Sequence, residues 1–347
     1  MGTTTEPARR NRRHWPWLWS LALCVSAHGQ ACQGPGDMDA PVRTALEASA
    51  KRYFEMSARG DVAGLKQNSI PAVAASFTGI ESAVKENQTA FAGAKTTVRP
   101  PFLLTVEGVE PIARAEFLCG IFGRSGQTKD SAVFVLNNLP PGRYGVTIID
   151  VTNIDVTNID VSGDKGARTL TLVLQQAGAD WKLAGFYARS AQAAGHDAAW
   201  FAQRARDFKN KAQHHNAWLY YREAIALAAP VDFMSTEATD KLYEESQATQ
   251  PADVPVNGPV DLSAGGKVYH LTEIFPLAVG DELEVVVKYR AADVSDTART
   301  FQENTAVIKA LVSKFPEFRQ AFAGVIARAV EPSGRDYGTL LAMKDIK

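Results

Sequence analysis

The spacing of apolar residues changes period several times along this chain, and each change limits what can fold there. From Val42 the pattern is helical, with Val42, Ala45, Leu46, Ala50 and Tyr53 recurring at steps of three and four on one face made for burial. Gly60-Asp61 ends that helix and opens another, because glycine suits a left-handed position and aspartate bonds the amides of a following turn. Two shorter helices are expected at about 61–67 and 79–92. Strand chemistry takes over near residue 96, with candidates at 102–109, 113–122, 132–137, 143–151, 167–175 and 181–188. Turn signals at Gly123-Arg124-Ser125-Gly126, Leu139-Pro140-Pro141-Gly142 and Ala177-Gly178-Ala179-Asp180 separate several of them, and such short connections predict antiparallel hairpins. Helix returns at 197–229, where Asp197 is the expected cap, and again at about 236–247. Beyond Pro251, Pro255, Gly258 and Pro259 come strands at 267–275 and 282–290, a helix at about 297–311, and a segment at 315–322. A closing hairpin follows at 324–330 and 337–343. The fold class is therefore α+β, helices packed on a curved antiparallel sheet, then a helical hairpin and a small α+β module.

The N-terminus has the order of a secretory signal, a basic cluster at Arg9, Arg10, Arg12 and Arg13 followed by an apolar run from Trp15 to Ala27. That run rises about 20 Å as a helix, too short for a bilayer core of about 30 Å. Residues 1–31 are read as a signal peptide and 32–40 as a tether. Cys32, preceded by Gly29-Gln30-Ala31, resembles a lipoprotein cleavage site, although Gly29 stands where that family has a leucine-like residue. Arg12-Arg13 offers a weaker twin-arginine reading, and a third leaves Cys32 a free thiol. Export to the periplasm or cell envelope is expected, with membrane attachment only through a lipid on Cys32. The chain carries 37 basic and 38 acidic side chains. Loss of residues 1–31 removes four arginines and one glutamate, so the remainder is mildly acidic and nucleic acid is not an expected partner. Of the other cysteines, Cys24 lies in the leader and Cys119 sits in a strand-like run. No disulfide framework is expected, and Cys119 is read as a small buried hydrophobe.

Three helices followed by strands that end in Trp181-Lys182-Leu183-Ala184-Gly185-Phe186, with Gly60-Asp61 before the second helix, resemble the nuclear transport factor 2-like cone fold over about residues 41–190. The stretch from Gly120 to Val151, with Gly123, Gly126, Phe134 and Asn138-Leu139-Pro140-Pro141-Gly142-Arg143-Tyr144, resembles instead a carboxypeptidase regulatory-like β-sandwich, the rival for 100–190. Phe201, Ala205, Phe208, Ala217, Tyr221 and Ala224 occupy the large and small positions of a single tetratricopeptide-like hairpin at 197–229, within a unit spanning 191–250. Residues 258–347 form a third unit, without a recognised family.

A tandem repeat, Asp150-Val151-Thr152-Asn153-Ile154 and then Asp155-Val156-Thr157-Asn158-Ile159, has an odd period that cannot keep one strand face apolar, so a bulge or lengthened hairpin is expected. Asp150, Asp155, Asp160 and Asp164 match no known calcium loop. His214 and His215 are adjacent and point about 100° apart on a helix, a poor arrangement for one ion. They are expected to be solvated in the hairpin turn, and His270 is read as a strand-face residue. No nucleophile elbow, phosphate loop, dinucleotide fingerprint or zinc-binding histidine pair is present, so neither metal nor cofactor is expected.

The cone resemblance implies a pocket that could hold a small apolar ligand, with Tyr53, Phe117, Cys119, Trp181 and Tyr187 as lining candidates and Glu116 as a further candidate base. Alternation places Trp181, Leu183, Gly185 and Tyr187 on one strand face. The function expected is that of an exported envelope protein in a non-catalytic binding or scaffold role, with a protein partner or a small apolar ligand. The alternatives are a cone-fold enzyme of the isomerase or hydratase type, and a scaffold using an exposed groove on 197–229.

Overall fold

A computed structural model describes residues 29–120, 131–152 and 166–347. The arginine cluster, the apolar leader run, Cys24, Gly123 and Gly126 lie outside the described residues, as does the repeat beyond Thr152, with Asp155, Asp160 and Asp164. The fold is α+β, as expected.

Helix α1 (Ala40–Ala58) starts with Pro41 in its first turn, where the missing N–H costs nothing, and buries Leu46, Ala50, Tyr53 and Phe54. Gly60 follows at φ +67°. Asp61 caps α2 (Val62–Gln67), its carboxylate accepting from the Gly64 amide at 2.9 Å. A short α3 (Pro71–Ala75) and then α4 (Thr78–Phe91) complete this layer. Val84 and Phe91 of α4 join Leu46, Tyr53 and Phe54 in one apolar cluster with Leu103, Leu170, Leu172, Trp181, Leu183 and Phe186 of the sheet beneath. Gly145 marks the closest approach of α1, since a Cβ there would overlap the Leu46 methyls.

That sheet has six strands, β1 (Gln30–Gln33), β2 (Lys95–Val98), β3 (Phe102–Val106), β6 (Gly142–Thr152), β7 (Arg168–Ala177) and β8 (Asp180–Ser190). Strands β2 and β3 pair with opposite ends of β6, and Pro100-Pro101 between them breaks the ladder because proline has no donor. The free edge of β8 is partly covered by the α2–α3 connection, with Leu183 exchanging backbone bonds with Asn68 and Ile70. A second sheet, β4 (Ile112–Cys119), β5 (Ala132–Leu139) and β11 (Met234–Thr236), packs on the other face. Phe102, Leu104, Tyr144, Val146 and Ile148 meet Phe117, Phe134, Leu139 and Met234 there. Both faces of β6 are therefore buried, which is why Tyr144 to Ile149 runs without alternation. The central sheet is thus covered by helices on one face and by the second sheet on the other. The Leu139–Gly142 connection is not the expected hairpin. Its two prolines carry the chain from one sheet to the other, and the Tyr144 hydroxyl donates to the Pro140 carbonyl at 2.9 Å.

Cys32 and Cys119 form a disulfide, with Cα atoms 5.1 Å apart, joining edge strand β1 to edge strand β4. A sulfur in a disulfide has no valence left for the thioether of a lipid anchor, and Cys119 is buried but not a lone thiol. The first residues of the expected tether are a strand instead, Cys32 and Gln33 pairing with Leu104 and Leu103, and that strand begins within the expected signal peptide, where Gln30 and Ala31 pair with Val106 and Thr105. A cut directly before Cys32 would remove half of β1.

A two-residue ladder, β9 (Gln192–Ala193) with β10 (His196–Asp197), leads into α5 (Ala198–Asn210). Asp197 caps that helix as expected, accepting from the Trp200 amide at 2.9 Å. Phe201, Ala205 and Phe208 of α5 pack with Ala217, Tyr221 and Ala224 of α6 (His214–Ala228). Helix α7 (Glu237–Gln247) starts at Thr236, whose side chain and that of Thr239 cap each other's amides. The last sheet runs β12 (Val260–Ala264), β13 (Lys267–Val279), β14 (Glu282–Arg290), β15 (Gly324–Val330), β16 (Asp336–Ala342). Strands β14 and β15 are parallel, with α8 (Thr297–Lys314) as the crossover that parallel pairing demands. Val307, Ile308 and Leu311 of α8 share one apolar cluster with Phe201, Tyr221, Val285 and Val325, so the hairpin and the last sheet have a common core.

Candidate functional site

The five candidate pocket residues do not share a cavity. Tyr53 is fully buried, its hydroxyl 2.9 Å from the Asn68 and Trp181 carbonyls, which it serves as donor. Trp181 lies in the same packed layer under the helices. Phe117 and the disulfide-bonded Cys119 lie across the central sheet in the other cluster. Tyr187 was expected to share a face with Trp181, but a bulge intervenes: Val173 faces Gly185 while Leu174 faces Leu183, leaving Ala184 unmatched. The extra residue reverses the alternation. Phe186 therefore points to the helices, while Tyr187 is 40% exposed and lies edge-on to Phe233 at 5.2 Å. Glu116 is exposed and paired with Arg114 at 2.9 Å.

His214 is exposed, whereas His215 and His270 are engaged. His215 is not solvated in the turn: its Nδ1 meets Glu317 and its Nε2 meets Asp253, each at 2.8 Å, and Phe315 packs 4.1 Å from the ring. The two carboxylates sit on opposite ring nitrogens and do not converge on one point. His270 pairs with Asp261 at 2.6 Å on the surface. Asp150 is held by two bonds from Arg99. Among the described residues no group of three His, Cys, Asp or Glu side chains is placed to hold a metal ion.

A cleft of about 550 Å³ opens instead where α6, α7 and the linker after it meet β13. Helix α6 contributes Trp218, Arg222, Ile225 and Ala226, at the i, i+4, i+7, i+8 spacing of a single stripe. Helix α7 and its continuation contribute Tyr243, Ser246, Gln247 and Gln250, again one face. Pro255 and Val256 form one rim, and Glu273, Ile274 and Phe275 of β13 the opposite wall. Trp218 is almost wholly buried, whereas Tyr243 and Val256 are 57% and 46% exposed. The volume falls in the range of small-molecule sites, and the lining has their composition of aromatic walls with a few polar groups.

Arg222 is the charged group of this cleft. Its Nη1 donates to the Ile274 carbonyl at 2.6 Å, and its guanidinium lies 4.9 Å from the centre of the Trp218 ring. Strand β12 stops pairing at Leu271, so the β13 edge beyond it is open, and Arg222 satisfies its first free carbonyl. Pro276 follows at the next outward position, where an edge strand tolerates a missing N–H. Although Arg222 reaches the surface, partial desolvation of its guanidinium in the cleft holds it below its ordinary pKa, with Glu273 and Glu223 pulling the other way. Glu273 itself pairs with Lys288 at 2.8 Å.

Comparison with protein-family models, with characterised proteins and with solved structures finds no match for this chain. The assignment of a site therefore rests on its geometry. Sequence reasoning missed the cleft because its walls are separated by up to fifty-odd residues. One local signal existed: Tyr243 is an aromatic on the otherwise polar side of Lys241-Leu242-Tyr243-Glu244.

Next to Arg222, the Glu223 carboxyl is pushed up to about 7, chiefly by burial and against the pull of Arg222. Its folded pKa is raised, so its ionisation opposes folding: no cost falls below the unfolded value near 4.5, and the full cost falls above the folded one. Glu223→Gln should therefore leave the urea midpoint unchanged at pH 4.5 and stabilise by about 2 kcal/mol at pH 8. Equal gains at both pH values would contradict the assignment.

Proposed function

We propose that this chain is an exported protein of the cell envelope with a non-catalytic binding role, and that its ligand site is the α6–α7–β13 cleft. The observation that carries the reading is the aromatic lining of that cleft, Trp218, Tyr243 and Phe275 around about 550 Å³. Export is supported by the Cys32–Cys119 disulfide, which persists in oxidising compartments, together with the basic and apolar order of residues 9–27. The cone-fold likeness of 41–190 and the tetratricopeptide-like likeness of 197–229 remain part of the proposal. What supports them is helices α1, α2 and α4 on one face of a mixed-length antiparallel sheet, and the large-to-small packing of α5 on α6. Two observations weigh against the enzyme and groove alternatives. The space between helices and sheet is filled by Tyr53, Trp181 and Phe186, and the hairpin shares its core with the last sheet.

The test uses N-phenyl-1-naphthylamine, a neutral fluorescent probe of apolar sites. Saturable enhancement is expected with the folded protein, weakened at least fivefold by Tyr243→Ala, an exposed position whose loss leaves the core intact. Absence of saturable binding, or binding indifferent to Tyr243→Ala, rejects the cleft as the site.

A further inference from the structure

Arg222 has donors to spare. A guanidinium carries five N–H groups in a fixed fork, and here one nitrogen is engaged by the Ile274 carbonyl. Among the described residues no carboxylate forms an ion pair with it. Glu273, the carboxylate on the facing wall, is already paired with Lys288, whose ammonium also lies 5.4 Å from the centre of the Phe275 ring. The side chain is held in place from two directions, by stacking on Trp218 and by its bond to the β13 edge. A cation fixed in this way loses little freedom when it takes an anion. The one carboxylate of the lining, Glu273, acts on Arg222 only through space and is held by Lys288, and the remaining polar lining, Ser246, Gln247 and Gln250, is neutral. Carboxylates are the natural complement of such a fork, and charge-assisted bonds to them are the strong ones.

Resting on the cleft as the binding site, we propose that its ligand is a small apolar monocarboxylic acid, with the carboxylate on Arg222 and the apolar body against Trp218, Tyr243 and Phe275. A backbone strand is the poorer occupant, because Arg222 occupies the Ile274 carbonyl and Pro276 withholds a donor from the same edge.

The assignment is tested by displacing N-phenyl-1-naphthylamine with 4-phenylbutyrate and with its neutral counterpart 4-phenylbutyramide. The acid is expected to displace the probe at a concentration at least tenfold lower than the amide. Arg222→Gln should erase that difference, because glutamine removes the charge, and the acid and amide are compared at the variant's own probe affinity so that any change in the apolar walls is taken out. Equal displacement by acid and amide in the unaltered protein overturns the carboxylate assignment and leaves the cleft standing as an apolar site. Failure of the probe itself to bind overturns both. A third arm uses the peptide acid acetyl-Gly-Gly-Phe: displacement tighter than by 4-phenylbutyrate identifies a peptide C-terminus as the occupant and overturns the small-acid assignment. Persistence of the acid preference in folded Arg222→Gln, checked by far-ultraviolet circular dichroism, would overturn the role of Arg222.

Discussion

Cys119→Ser is expected to lower the unfolding free energy by about 2–4 kcal/mol, and reduction of the unaltered protein should do the same. The bond closes a loop with a sequence separation of 87 residues, so its loss releases a large set of unfolded conformations. It also ties together two edges, β1 of the central sheet and β4 of the second sheet, which are otherwise joined by the Glu116 amide donating to the Gln30 side chain at 3.0 Å. Strand β1 has only four residues and pairs with β3 alone, so it should fray first, exposing the apolar layer around Leu104 and Phe117. Urea unfolding with and without dithiothreitol measures the effect. Cys32→Ser and the double variant should match Cys119→Ser, since all three remove one and the same bond. An unchanged midpoint under reduction would show that the packed sheets hold without it.

Asn304→Leu should cost about 3–5 kcal/mol, more than its loss of surface contact would suggest. Asn304 lies on α8 with no exposure, between the helix and the last sheet. Its Oδ1 accepts from the Tyr289 hydroxyl at 2.8 Å, and its Nδ2 donates to the Tyr337 carbonyl at 3.1 Å and to the Thr339 hydroxyl at 2.9 Å. Leucine has a similar size but leaves two buried hydroxyls, of Tyr289 and Thr339, and the part-buried Tyr337 carbonyl without this partner. Tyr289→Phe removes one donor and should cost less, about 1–2 kcal/mol. The double variant should cost less than the sum of the two, because the Tyr289 hydroxyl stranded by leucine is then gone. Thermal unfolding followed at 222 nm reads all three. A loss below 1 kcal/mol for Asn304→Leu would mean that water reaches the site and replaces the amide.

Most elements were legible because their signals are local. The steps of three and four from Val42 to Tyr53 mark α1, Asp61 and Asp197 cap the helices they were expected to cap, and Gly178 turns β7 into β8 at φ +64°. The strand, helix, strand order of β14, α8 and β15 follows from alternation giving way to helical spacing and back, whereas their parallel pairing does not. Short edge strands were not legible. Strands β1, β2, β11 and β12 have three to five residues each, too few to establish a period. The site suffered from a further problem: one unmatched residue, Ala184, reversed the faces of β8 and sent Tyr187 away from Trp181.

By itself the sequence determined where helix and strand form, because backbone propensity, caps and apolar period act within a few residues. Only the tertiary structure decided that Cys32 meets Cys119, that β11 crosses over to complete the second sheet, and that Trp218, Arg222, Tyr243 and Phe275 surround one cleft. These are contacts between segments tens of residues apart, selected by which apolar faces pack together, and no local pattern encodes that choice.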